Sequence, residues 1–191
     1  YNLELYCNDR ASKVSVNDET GDITMNNPWN GGGVLTTLKD DITGENYMTE
    51  FTLKYQFEEG KNWGWTERFS IILGMSPVDE KPIGFMFFMA GDDEIKGANC
   101  VSNDIRWFGE GHEGFQPFAK GSADVAAINT ALKGEGLKVR GVRNGDKLTV
   151  HFLIGTEWKV AWTKTVEGLS PYLGVTAAHN NSTLTVSGIT F

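Results

Sequence analysis

An all-β, two-sheet antiparallel β-sandwich is the fold class this sequence predicts, on three observations. Short runs of alternating apolar and polar residues recur along the chain. Turns rich in Gly, Asn and Asp separate them. Only one stretch has the composition of a helix. About thirteen strand-like runs with one short helix argue for two packed sheets rather than a helix-covered parallel sheet.

Each element follows from its own pattern. In 49–57, Thr49, Phe51, Leu53, Tyr55 and Phe57 share one face, and Glu50, Thr52, Lys54 and Gln56 share the other. That period of two marks a half-buried strand. Phe69, Ile71 and Leu73 alternate likewise with Arg68, Ser70 and Ile72. In 82–89, Ile83, Phe85, Phe87 and Met89 form one apolar face, and Met86 and Phe88 make the other apolar too. That strand is expected at a central position, covered on both sides. Residues 122–132 are Ala-rich with Ser122 or Asp124 as cap, and predict the helix. Asn144-Gly145 lies between the runs 137–142 and 147–153, which predicts a hairpin with a type I′ turn. Trp158, Val160 and Trp162 alternate, which assigns both indoles mainly to the core. The strands 172–177 and 183–191 close the chain around a turn. With no linker-like composition shift, one domain over 1–191 is expected.

The 191 residues suffice to bury roughly 70% of the unfolded surface, so neither metal nor disulfide is required merely to fold. The net charge of −8, from 25 acidic and 17 basic side chains, repels a phosphate backbone and excludes nucleic acid as the expected partner. Neutral sugars suit that field; highly sulfated ones do not. No apolar run approaches the ~20 residues that span a bilayer, so no membrane insertion is expected. The chain begins at Tyr1, which reads as a processed protein or a module of a larger one. Cys7 and Cys100 could pair in an oxidising compartment or stand as two buried thiols. Neither belongs to a Cys-x-x-Cys unit.

A family resemblance rests on the C-terminal half. Leu137-Lys138-Val139-Arg140 leads to Arg143-Asn144-Gly145-Asp146, then Leu148-Thr149-Val150 and Glu157-Trp158. Tyr172-Leu173-Gly174-Val175-Thr176-Ala177 and a closing run from Leu184 to the terminal Ile189-Thr190-Phe191 follow. This series resembles the last strands of bacterial concanavalin A-like lectin/glucanase (jelly-roll) domains, and the early strands agree in kind. The resemblance implies the jelly-roll sandwich, an extracellular location, either secreted or cell-surface attached, and tethering to other domains of a parent chain. It covers hydrolases, lyases, lectins, carbohydrate-binding modules and adhesive modules, so the site must decide among them.

Retaining hydrolysis needs two carboxylates about 5 Å apart. The Glu-x-Asp-x-x-Glu strand motif of the family's glucanases is absent from the chain. Asp79-Glu80 and Asp92-Asp93-Glu94 fall in turn-like contexts, and Glu110 and Glu113 flank His112 among glycines. Arg68, Arg106 and His151 have the side chains a lyase would use, but their neighbours do not match lyase strands. The expectation is therefore non-catalytic binding of a polysaccharide or other glycan. The alternatives are a hydrolase or lyase with another acid pair, and a structural or adhesive module without a glycan ligand.

Sugar rings stack on aromatics and pair their hydroxyls with amides, carboxylates, guanidinium and imidazole. Asp104, Arg106, Trp107 and His112 offer that mixture in one segment. Trp63 and Trp65 flank Gly64 between two strands, and Trp29 sits beside amides in a Gly-rich stretch. These seven residues form the predicted ligand-binding set, the alternative for the tryptophans being core or edge packing. A structural Ca2+ is the only cofactor the resemblance suggests. Asp18, Glu19, Asp22, Asp40 and Asp41 supply turn oxygens for it, without a spacing that singles them out.

Overall fold

The structure, a computed structural model, describes residues 2–6, 13–26, 33–37, 42, 44–64, 67–100, 114–178 and 182–190. The strands are β1 (Asn2–Tyr6), β2 (Lys13–Val16), β3 (Ile23–Asn26), β4 (Gly33–Thr37), β5 (Asn46–Phe57), β6 (Arg68–Met75) and β7 (Pro82–Met89). There follow β8 (Ile95–Cys100), helix α1 (Ala123–Lys133), β9 (Leu137–Asn144), β10 (Lys147–Ile154), β11 (Glu157–Thr165), β12 (Gly174–Ala178) and β13 (Ser182–Thr190). A seven-stranded sheet runs β11-β10-β9-β5-β13-β3-β2, and a four-stranded sheet runs β12-β6-β7-β8. The antiparallel pair β1-β4 forms a separate two-stranded sheet, with β4 beside β12. This is the expected two-sheet antiparallel sandwich.

Alternation supplies the core. Phe51, Leu53 and Tyr55 of β5, Val139 of β9 and Val150 and Phe152 of β10 meet Phe69, Ile71, Phe85 and Phe87 across the gap. The rings of Phe87 and Phe152 contact edge-on, with centroids 4.9 Å apart. As its pattern predicts, β7 sits between two neighbours and is buried on both faces. Its outward Met86 and Phe88 join Ile72, Ala98 and Cys100 in a second buried cluster. Cys100 is thus a buried side chain of the outer face; Cys7, and with it the disulfide expectation, lies outside the described residues.

The helix forms where expected. Ser122 caps it, its hydroxyl accepting the Val125 N–H at 3.3 Å. Val125, Ile128 and Leu132, at helical spacing, are buried against the large sheet. Asp124 in the first turn pairs with Lys159 of β11 at 2.8 Å.

Two local expectations are corrected. Asn144 pairs with Lys147, so the hairpin turn centres on Gly145-Asp146 rather than on Asn144-Gly145. Gly145 has φ 60° and Asn144 and Asp146 do not share its positive φ, which fits a type II′ rather than a type I′ turn. In β11, Trp162 pairs with Val150 while Val160 pairs with His151, so Ala161 is an extra residue forming a β-bulge. The bulge reverses the alternation. Trp162 points inward, 4% exposed, its indole N–H donating to Asn99 Oδ1 at 2.8 Å, while Val160 turns outward at 52% exposed. Trp158 shares the outward parity of Val160 and is not a core residue.

Candidate functional site

The bulge places an aromatic residue on the outer face of the seven-stranded sheet, next to a polar row set by strand register. Glu50 of β5 pairs with Arg140 of β9, Arg140 with His151 of β10, and His151 with Val160 of β11. Leu153 pairs with Trp158 in the adjacent row. The Arg140 guanidinium crosses β10 and lies 3.9 Å from the Trp158 ring centroid. Glu50 Oε1 accepts from Arg140 Nε at 2.6 Å, which fixes that guanidinium in turn. The indole is therefore held before any ligand arrives.

Beside the row lies a depression of about 290 Å³ lined by Val142, Asn144, Thr149, His151, Val160 and Thr163, with Lys147 at its end. Burial, and secondarily the charge of Arg140, hold the His151 imidazole below its ordinary value. At neutral pH it is uncharged, with one N–H donor and one acceptor nitrogen. Its Nδ1 is shielded and has no hydrogen-bond partner among the described residues. The surface combines a clamped indole, apolar Val142 and Val160, and donors and acceptors of both kinds, which are the groups that recognise a hydroxylated ring.

Of the seven sequence-predicted residues, Trp63 is described; Trp29, Trp65, Asp104, Arg106, Trp107 and His112 lie outside the described residues. Trp63 is half-buried at one end of the sandwich. Its N–H donates to Asn129 Oδ1 at 2.6 Å, and its ring meets Phe57 and Tyr55 edge-on at 4.7 and 5.2 Å. Lys133 Nζ stands 5.4 Å from the ring centroid and 2.6 Å from Asp92 Oδ1, and the Asn62 amide approaches the same carboxylate at 3.4 Å. Burial, reinforced by buried Glu67, pushes the Tyr55 phenol above its ordinary value, which marks this corner as dry beneath the indole. Trp63 is thus packed on one side with its indole N–H engaged, and part of its surface stays accessible.

The other candidate groups separate. Arg68, held down to about 10 by burial with Glu67 opposing the shift, belongs to β6 in the small sheet, whereas His151 belongs to the large one. Asp79 pairs with Lys81 at 3.0 Å and Glu94 with Lys120 at 3.3 Å, so both acidic turns sit against lysine. No group of three or more metal-ligating side chains occurs among the described residues. Asn17 Oδ1 accepts the N–H groups of Glu19 and Thr20, which closes this turn, and Asp22 Oδ1 accepts the Gly188 N–H of β13. Asp40 and Asp41 lie outside the described residues.

Sequence reasoning missed Trp158 because a bulge leaves no mark in the alternation of residue types. The apolar pair Trp158 and Val160 beside exposed polar neighbours is compatible with either face.

No protein-family model and no curated protein sequence matches the chain. Solved structures share its fold. A legume lectin-like domain from Entamoeba histolytica superposes with a TM-score of 0.63 at 14% identity, covering 99% of this chain and 88% of that one. The carbohydrate-binding module CBM66 from Bacillus subtilis does so with 0.53 at 8% identity, covering 97% and 92%. The VIP36 exoplasmic/lumenal domain in its Ca2+/Man3GlcNAc-bound form gives 0.56 at 10% identity, covering 98% and 81%. The chain therefore has the legume lectin-like, concanavalin A-like sandwich.

Proposed function

We propose that this protein binds saccharide without cleaving it, through the outer face of its seven-stranded sheet. The observation that carries this reading is the clamped Trp158 with the row Glu50, Arg140 and His151, beside an open depression that His151 and Val160 line. A pyranose laid against the exposed part of the indole and Val160 would place its hydroxyls within reach of the imidazole, the guanidinium and Thr149. The sandwich likeness to lectin-like and carbohydrate-binding domains supports it at the level of fold. The pairing of Asp79 and Glu94 with lysines fits a binding rather than a cutting role. The sequence-predicted set of Trp29, Trp63, Trp65, Asp104, Arg106, Trp107 and His112 is retained as the alternative set of contacts for the same ligand class.

A glycan array followed by calorimetry on the best hit tests this. Trp158→Ala is expected to lower affinity at least about tenfold, the loss of a single stacked aromatic contact with its burial. Far-ultraviolet circular dichroism should remain that of the wild type. If Trp158→Ala binds like the wild type while Trp107→Ala or Trp65→Ala does not, the sequence-predicted set holds the ligand instead. A wild-type protein that binds no glycan on the array refutes saccharide binding altogether.

A further inference from the structure

A second surface differs in chemistry from the sheet face. Strand β5 is twelve residues long, but β9 pairs with it only from Asn46 to Leu53. At Leu137 the chain turns away through 134–136 to α1. On that side, residues 54–57 of β5 have no strand partner among the described residues, while their other side pairs with β13. The open edge forms the floor of a groove of about 750 Å³, walled by Gly60, Lys61 and Asn62 on one side and Lys133 on the other. Such a volume suits a small-molecule or oligosaccharide segment.

The groove is basic in an acidic protein. Lys54, Lys61 and Lys133 line it together with the amides of Gln56 and Asn62, and no carboxylate does. Lys133 is engaged by Asp92 at 2.6 Å, whereas Lys54 and Lys61 make no ion pair among the described residues. The exposed Glu58 and Glu59 sit in the adjoining turn without lining the groove. Lys54 and Lys61 are thus the ammonium groups of the lining left without a carboxylate partner, and a bound anion would meet them within the ~8 Å over which a charge acts at physiological salt. Lysines beside an open edge discourage addition of another strand, which argues against a peptide occupant. Alternate residues of the edge direct backbone N–H and C=O groups into the groove, and these with the two amides match hydroxyl groups.

We propose that this groove binds a carboxylate-bearing sugar, the uronic acid unit of an acidic polysaccharide, with Lys54 and Lys61 receiving the carboxylate. The proposal rests on the saccharide-binding reading but concerns a separate surface and a defined sugar class.

Calorimetry with an oligogalacturonate and with its methyl ester, the same sugar with its charge removed, tests it. The wild type is expected to bind the free acid at least about tenfold more tightly than the ester, and more weakly as salt is added. The double variant Lys54→Gln/Lys61→Gln should lose about tenfold for the acid, the loss of two exposed charge contacts. Trp158→Ala should bind the acid like the wild type. Equal affinity for acid and ester, or an unaffected double variant, overturns the proposal. So does a poly-glutamate peptide that binds as tightly as the oligogalacturonate. If the array identifies a neutral ligand dependent on Trp158 but the acid does not bind, the groove assignment alone falls. If the acid binds through the lysines while no glycan depends on Trp158, the sheet-face reading alone falls.

Discussion

Arg143 is the bulkiest fully buried side chain among the described residues. It is 1% exposed and has no carboxylate among its bonded partners. Its guanidinium donates instead to three backbone carbonyls: Gly145 at 3.0 Å, Ser170 at 3.1 Å and Leu169 at 2.6 Å. Tyr47 lies alongside, its ring centroid 5.7 Å from the guanidinium carbon. The Tyr47 hydroxyl accepts the Tyr172 N–H at 3.1 Å and lies 2.5 Å from Leu73 O. Together they tie the β9-β10 hairpin to the segment leading into β12. Arg143→Met should therefore cost about 3 kcal/mol in chemical denaturation, because the packing volume survives but the carbonyls lose their donors. Arg143→Lys should recover only part of this, since one ammonium cannot span all three acceptors. Sequence inspection placed Arg143 in the hairpin segment, yet its burial could not be read there, because two of its three carbonyl acceptors lie 26 and 27 residues further along the chain.

Among the elements, β6 and β7 approach most closely at Gly84. A Cβ built there would overlap the Ile71 carbonyl oxygen and stand 2.8 Å from the Ile72 Cα, both parts of the backbone. The register between the strands shifts between Ile72 and Gly74 nearby. Gly84→Ala should destabilise by roughly 2–3 kcal/mol, an overpacking cost that the neighbouring backbone cannot relieve by a rotamer change. A thermal melt within a degree of wild type would show that the strands separate without penalty. The helix and the alternation of β5 and β7 were legible locally, because cap, helical spacing and period two are written in adjacent residues. The turn type at Gly145 and the bulge at Ala161 were not, because each depends on which residue of the opposite strand is paired.

In the whole molecule, one core cluster includes side chains of both sheets and of α1, so unfolding is expected to be cooperative. A ligand bound to the outer face should then stabilise the entire sandwich. At a hundred times its Kd, a saccharide contributes about 2.7 kcal/mol, which is roughly 5–10 °C in Tm for a domain of this size. Differential scanning calorimetry of the wild type should show that rise, and Trp158→Ala at the same concentration, binding about tenfold more weakly, should show no more than about half of it. The net charge of −8 remains the reason to expect weak association with nucleic acid, and it coexists with a groove that lysines line.

Residue order alone was enough to settle the class of fold: alternation, turn chemistry and a single capped helix leave a two-sheet sandwich as the consistent answer. Long-range pairing settled the surfaces. Whether Trp158 faces inward or outward depends on one extra residue opposite β10, and the open groove exists because β9 ends four residues short of β5. Both are facts of register between distant segments, and neighbouring residues in the chain carry no record of that register.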